Sequence, residues 1–141
     1  MSRYDATQSN ESQRSAKIYR DLDLDFQVNS ATKDIQKLSD VEAVKRSVRN
    51  LINTNHYERF FHPELGSGIR ELLFENMTPL TEIYLAKKIE EVLVNYEPRV
   101  RLVQVQVRGN PEQNQYNIMI EFYVVNHPEP VQIDTFLERL R

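Results

Sequence analysis

An α+β fold, with two main helices packed on a small, mostly antiparallel sheet and a C-terminal β-hairpin, is predicted by three features of this 141-residue sequence. Two segments carry a helix-start signal followed by apolar residues on one face. Two later segments alternate apolar and polar residues on either side of a Gly-Asn-Pro turn. The length suits one domain of roughly 100–200 residues. Met1 to about Lys17 is rich in Ser, Asn, Gln and charge, with too little apolar surface to offset its ordering entropy. Residues 1–17 are therefore expected to form a flexible arm, disordered when free or ordered on a partner, and residues 18–141 a single domain.

After the arm, Leu22, Leu24, Phe26 and Val28 alternate with Asp23, Asp25 and Gln27, the period-two pattern of a half-buried strand. Asn29, Ser30 and Thr32 supply a turn, and Asp34–Leu38 returns as a short second strand, completing a small N-terminal hairpin. Ser39 followed by Glu42 has capping-box spacing. Val41, Val44, Val48, Leu51 and Ile52 then fall on one face of a helix, opposite Lys45, Arg46 and Arg49, and the helix ends near Thr54–Asn55. His56 to Ser67 reads as an ordered loop, because Tyr57, Phe60, Phe61 and Leu65 are too apolar to remain solvated. Gly66 and Gly68 allow the tight turn into a short helix over Ile69–Phe74.

Thr78-Pro79 starts the second main helix, with Thr as N-cap and proline where its missing N–H is harmless. Its expected buried stripe is Leu80, Ile83, Tyr84, the stem of Lys87, Ile89 or Glu90, Leu93 and Val94. Pro98 stops the helix near Asn95. Val103, Val105 and Val107 alternate with Gln104, Gln106 and Arg108. Tyr116, Ile118, Ile120, Phe122 and Val124 alternate with Asn117, Met119, Glu121 and Tyr123. Gly109-Asn110-Pro111 and Asn114 join the two as an antiparallel hairpin with helices on one side. Beyond Pro128 and Pro130, Val131–Ile133 is expected as a short strand, and Asp134 as the cap of a terminal amphipathic turn through Phe136, Leu137 and Leu140.

Composition narrows the function. A formal charge of -3 opposes nucleic acid as the main partner, since duplex binding requires a basic surface. The mean hydropathy of -0.60 and 28% charged residues oppose a membrane span. The absence of cysteine removes disulfides, thiolate metal clusters and a cysteine nucleophile, consistent with a reducing compartment. No secretion signal is evident at the N-terminus.

Candidate chemistry is sparse. His56, His62 and His127 lack the i, i+4 spacing that sets two metal ligands on one helical face, so no metal and no cofactor are expected. Gly66-Ser67-Gly68 resembles a phosphate loop without its lysine and reads as a turn. Glycoside hydrolysis needs two placed carboxylates, for which Asp21, Glu64, Glu75 and Glu97 are candidates. Against it stand the small size, the lack of tryptophan for sugar stacking and the lack of a long cleft-building loop.

Tyr96-Glu97-Pro98-Arg99 is the most informative segment. Proline fixes the backbone between Glu97 and Arg99, which at i and i+2 in extended geometry project toward the same side. The pair can form charge-assisted hydrogen bonds with a neighbouring chain. Alternatively it ties the helix end to the adjacent loop, with Arg99 bonding the last carbonyls. The residues alone leave both readings open.

Leu72-Leu73-Phe74-Glu75-Asn76-Met77-Thr78-Pro79-Leu80-Thr81, followed after a helix by Asn95-Tyr96-Glu97-Pro98-Arg99-Val100, resembles the small baseplate-wedge proteins of contractile-tailed phages, the GPW family once labelled lysozyme-like. Arg59-Phe60-Phe61-His62-Pro63-Glu64-Leu65-Gly66 is similar to that family's Arg-Pro-Phe-x-Pro-Glu-x-Gly loop, with Phe60 where proline is common. The resemblance spans about Asp21 to Arg141. It implies a non-enzymatic structural subunit of a virion tail baseplate, assembled in the host cytoplasm, with relatives in type VI secretion and other contractile injection machines. It also implies that Tyr96, Glu97, Pro98 and Arg99 bind other wedge proteins. The hairpin, through Val103, Val105, Val107, Ile118, Ile120 and Phe122, is implied to template the first ring of the tail sheath.

Strand chemistry suits that role, because an uncovered hairpin edge can accept a partner strand through main-chain hydrogen bonds. A self-covered edge, by Val131–Ile133 or the N-terminal hairpin, is the alternative. Neither nucleic acid, membrane nor a small-molecule substrate is an expected partner. A peptidoglycan hydrolase and a regulatory adaptor on the same fold are the competing functions.

Overall fold

The computed structural model describes residues 19–23 and 26–139. The expected arm over residues 1–17, Leu24 in the first strand and Leu140 in the terminal turn lie outside the described residues. The chain runs β1 (Arg20–Leu22), β2 (Lys37–Ser39), α1 (Asp40–Asn53), α2 (Ile69–Leu72), α3 (Pro79–Tyr96), β3 (Val100–Asn110), β4 (Gln115–Val124) and β5 (Pro130–Glu138). β1 and β2 form a two-stranded antiparallel sheet, and β3-β4-β5 form a separate antiparallel sheet with β4 in the centre. This is the expected α+β class.

The core lies between the three-stranded sheet and the helices. Tyr116, Ile118, Ile120, Phe122 and Val124 of β4 point inward and are buried, as are Val107 of β3 and Val131 and Ile133 of β5. From the helices come Val44, Val48, Leu51, Ile52, Ile69, Leu85, Ile89, Val92 and Leu93. The β3–β4 turn forms as its residues dictate. Asn110 Oδ1 accepts from the backbone N–H groups of Glu112 and Gln113 at 3.1 and 3.2 Å, and Asn114 takes the left-handed conformation at φ 52°.

Several local expectations are corrected. The first strand is shorter than its alternation suggests, and Leu22, Phe26 and Val28 are exposed. Phe26 adopts φ 53°, which breaks the extended run. Beyond β1 and β2 the hairpin is joined by an isolated Val28–Ile35 bridge and by backbone bonds such as the Asp23 N–H to Gln36 O at 3.0 Å and the Gln36 N–H to Gln27 O at 2.8 Å. The Ser39–Glu42 capping box does not form, since Ser39 makes no side-chain cap bond. Ser39 is instead held in β2 opposite Arg20, and Asp40, at φ 48°, exchanges bonds with Tyr19: its N–H donates to Tyr19 O at 2.7 Å and its Oδ1 accepts the Tyr19 N–H at 3.2 Å. The short helix stops at Leu72 rather than Phe74.

The start of α3 is as expected: Thr78 Oγ1 accepts the Thr81 N–H at 3.2 Å, and Pro79 follows. Its buried face is as expected at Ile89 and Leu93 and different elsewhere. Thr81, Leu85, Ile89, Val92 and Leu93 face the core, whereas Leu80, Ile83, Tyr84 and Val94 are exposed. Apolar residues on either side of Ile89 and Leu93 recur at helical spacing, so periodicity admits both flanks, and packing against β3 selects the one with Thr81, Leu85 and Val92. The 56–67 loop leaves Tyr57, Phe60 and Phe61 exposed, against expectation, and the terminal turn does not form. Pro130–Glu138 is one continuous strand on β4, with Asp134 opposite Met119, so Asp134 is no helix cap. Among the described residues, no helix is long and apolar enough to cross a membrane.

Candidate partner-binding site

The Tyr96–Arg99 corner is built where α3 ends and β3 begins. The Glu97 N–H still closes the helix by donating to Leu93 O at 3.0 Å, but Pro98 turns Glu97 itself out to φ -124°, ψ 78°. The chain then turns directly into β3, and Arg99 O accepts the Val125 N–H at 2.9 Å beside the end of β4. Pro98 is exposed at the apex.

Glu97 is only 3% exposed, and its carboxylate is fully engaged. Arg99 donates from Nε to Oε1 at 2.6 Å and from Nη2 to Oε2 at 2.7 Å, the two-point geometry of a guanidinium on a carboxylate. Ser47 of α1 donates its hydroxyl to Oε2 at 2.5 Å. Burial would push the Glu97 carboxyl up, but the bonds from Arg99 and Ser47 and the Arg99 charge outweigh it and hold the group below the usual carboxylate range. The same bond holds Arg99 still more firmly protonated, aided by Asp21.

The expected alternative, with Arg99 bonding helix-end carbonyls, is therefore replaced by a carboxylate pairing that joins α3 to α1 through Ser47. The N-terminal hairpin completes the surroundings. The Tyr19 ring lies 5.4 Å from the Arg99 guanidinium carbon, and buried Asp23 pairs with Arg46 of α1 at 3.3 Å. About a quarter of the Arg99 side chain (26%) still reaches solvent. Tyr96 points elsewhere, donating its hydroxyl to Glu64 O at 3.0 Å and bracing the 56–67 loop.

Sequence reasoning missed Tyr19 and Ser47. A faint signal for Ser47 exists: a small polar residue beside Val48 and one turn from Val44, on the inner side of α1. Nothing local announces Tyr19.

The strand residues divide by position. Val105 and Val107 lie on β3 with inward register, opposite Ile120 and Ile118. Val103 occupies an irregularity between Leu102 and Gln104, where β3 slips one residue against β4, and is therefore exposed rather than part of the alternation. Ile118, Ile120 and Phe122 are fully buried on β4, whose two edges are taken by β3 and β5. Among the described residues, the outer edges of β3 and β5 pair with no further strand.

The carboxylates considered for hydrolysis are scattered. Glu64 is exposed, its carboxyl lowered by its own backbone N–H and by His62, and Glu75 and Asp21 are exposed elsewhere. His62 and His127 make local contacts, to Glu64 at 3.3 Å and to Glu129 O at 3.1 Å. Among the described residues, no group of three or more His, Asp or Glu is placed to hold a metal. Ser67 is buried in its turn, donating to Ile52 O at 2.8 Å.

Comparison with known proteins gives consistent matches. The family model described as baseplate wedge protein gp25 matches residues 38–129. The baseplate wedge protein gp25 of Enterobacteria phage T4 is 33% identical over 118 residues, covering 82% of this chain and 87% of that protein. Among solved structures, a putative tail lysozyme from Geobacter sulfurreducens is similar with a TM-score of 0.67 at 23% identity, over 71% of this chain and 91% of that one. A chain of the anti-feeding prophage baseplate gives 0.61 at 21% identity, over 88% of each. A chain of the type VI secretion baseplate complex gives 0.54 at 16% identity, over 68% and 92%. These three share the fold.

Proposed function

The chain belongs to the baseplate wedge protein gp25 family, and from that premise we propose that it is a non-enzymatic structural subunit of a contractile-tail baseplate wedge. It joins other wedge proteins through the corner of Tyr96, Glu97, Pro98 and Arg99. It offers the outer edge of β3, with Val103 exposed at the irregularity, to a strand of the tail sheath. Assembly takes place in the host cytoplasm before the particle is complete.

The observation that carries this reading is the state of Glu97. A glycosidase acid must hold its proton near neutral pH, which needs a shielded carboxyl with a raised pKa. Glu97 is shielded but shifted the other way, held ionised by Arg99 and Ser47. As a fixed ion pair it suits recognition: Nε and one Nη2 hydrogen are committed to Glu97, and the remaining guanidinium donors are available to acceptors on a neighbouring subunit. Pro98 keeps the display rigid, which lowers the ordering cost of association.

Two measurements test it. The full chain, co-expressed with the other baseplate proteins, is expected to co-purify with wedge subunits and to be present in sheathed particles. Purified protein is expected not to clear a peptidoglycan suspension. Clearing that Glu97→Gln abolishes, or absence from purified particles, would overturn the reading.

A further inference from the structure

The 56–67 loop carries its aromatic rings outward: Tyr57, Phe60 and Phe61 are 86%, 98% and 92% exposed. Its own backbone keeps its shape. The Tyr57 N–H donates to Pro63 O at 2.9 Å across the neck, the His62 N–H to Arg59 O at 3.2 Å and the Leu65 N–H to His62 O at 3.1 Å. The result is a braced apolar knob with one carboxylate, Glu58, and one guanidinium, Arg59, beside the rings.

A hollow of the opposite shape lies on the outer face of the three-stranded sheet, turned away from the helices. Its volume is about 540 Å³. A cavity of about 150 Å³ holds one benzene ring, so this one has room for two phenyl groups. Strand register sets its walls. Met119 of β4 lies between Gln106 of β3 and Asp134 of β5, and Asn117 lies between Arg108 and Phe136. Met119 and Phe136 make it apolar, and a thioether adapts readily to aromatic neighbours. Arg108 and Asp134 put opposite charges on its two sides, across β4. Arg59, Arg108 and Asp134 have no ionic partner among the described residues.

We infer that the knob of one copy of this chain seats Phe60 and Phe61 in the hollow of a second copy, with Arg59 against Asp134 and Glu58 against Arg108. The contact goes beyond the baseplate reading and does not depend on it. Shape, size and charge all select this occupant: the knob is convex and the hollow concave, two rings fit, and each carries one charge of either sign to meet its opposite. Glu58 takes one bond on each oxygen from Asn55, which leaves lone pairs on both for a guanidinium. Rings so nearly fully exposed do not enter the hollow of their own chain, so both surfaces remain open until another copy arrives. Knob and hollow are different surfaces, so the contact is head-to-tail and adds copies until the rotation closes a ring. Its small extent sets a modest affinity.

Sedimentation velocity of the purified full chain, between about 10 μM and about 1 mM, is expected to show reversible self-association. Arg59→Asp and Asp134→Arg each set like charges together and are each expected to weaken it by about tenfold or more. The double variant sets opposite charges together again and is expected to recover. Phe60→Ser with Phe61→Ser is expected to keep the wild-type melting temperature, since these rings touch mainly solvent, and to sediment as a monomer. With isotope-labelled and unlabelled chains mixed, a photoreactive phenylalanine analogue at position 61 is expected to crosslink beside Met119 or Phe136 of the other copy. A chain that stays monomeric to about 1 mM, or a double variant no stronger than either single one, would overturn the contact. So would a crosslink outside the hollow, or one in purified particles to a different polypeptide or to lipid.

Discussion

Arg99 grips Glu97 at two points, 2.6 and 2.7 Å, although proline separates them in sequence and the carboxylate is buried at the end of α3. Arg99→Ala leaves that carboxylate with only Ser47 in a site almost closed to water. Removing one partner of a buried pair costs about 3–5 kcal/mol, and the exposed fraction of Arg99 puts this case at the lower end. Urea unfolding is expected to show that loss, and co-purification with wedge proteins to fall further than stability alone accounts for. Arg99→Lys keeps the charge without the fork and is expected to lie between. Full stability in Arg99→Ala would show the pair contributes nothing to the fold.

Stability should depend on acidity through Glu97. Its folded-state pKa is depressed, so the folded chain binds this proton less readily than the unfolded chain. The contribution is complete above the ordinary glutamate range and is lost as pH falls through the lower folded value. Unfolding free energies measured from neutral pH downward are expected to decline less steeply over that window in Glu97→Gln, from a lower starting stability. Parallel profiles in wild type and variant would contradict the assignment.

Gly66→Ala tests the base of the aromatic loop. The added methyl meets backbone atoms of Asn55 and His56 at 2.5 Å, which must move apart. Overpacking of this kind costs about 1–3 kcal/mol. Thermal unfolding is expected to register it. An unchanged melting temperature would mean that the neck opens freely.

The sheet gives a prediction about sheath growth. Ile120 is buried on the central strand between Val105 and Ile133, so Ile120→Pro is expected to prevent folding. The Val125 N–H bond to Arg99 O and the Arg139 N–H bond to Asn114 O set the odd positions of β4 toward β3. Gln106, opposite Met119, therefore directs its N–H into the ladder, whereas Val105, opposite Ile120, directs its N–H to the open edge, where proline is tolerated. Val105→Pro with native circular dichroism is expected to yield baseplates without full-length sheath, measured by electron microscopy, whereas Gln106→Pro is expected to lose a bond within the sheet as well. Normal sheaths would remove the β3 edge from the docking proposal.

What could be read from the residues follows the range of the interactions. The Thr78-Pro79 cap and the Gly109-Asn110-Pro111 turn act over a few positions, and both form as their chemistry requires. In α3 the sequence points correctly to Ile89 and Leu93, but apolar residues flank them on both sides and only contact with β3 distinguishes the two flanks. Asp134 looks like a cap until Met119 is known to lie opposite it in a ladder. In the corner, Glu97 and Arg99 were legible together because they are neighbours, while Ser47 lies 50 positions from Glu97 and reaches it only through tertiary packing. Tyr57, Phe60 and Phe61 are exposed although their apolar character predicts burial, because the 56–67 loop is held by its own backbone bonds and not by packing of these rings.

The corner draws its parts from distant stretches: Tyr19 before β1, Ser47 within α1, Glu97 and Arg99 around Pro98. On the proposed wedge-binding role, none of these stretches carries the recognition surface alone. On that role a nascent or misfolded copy has no finished corner to offer, and maturation of the subunit would become a checkpoint on its own recruitment.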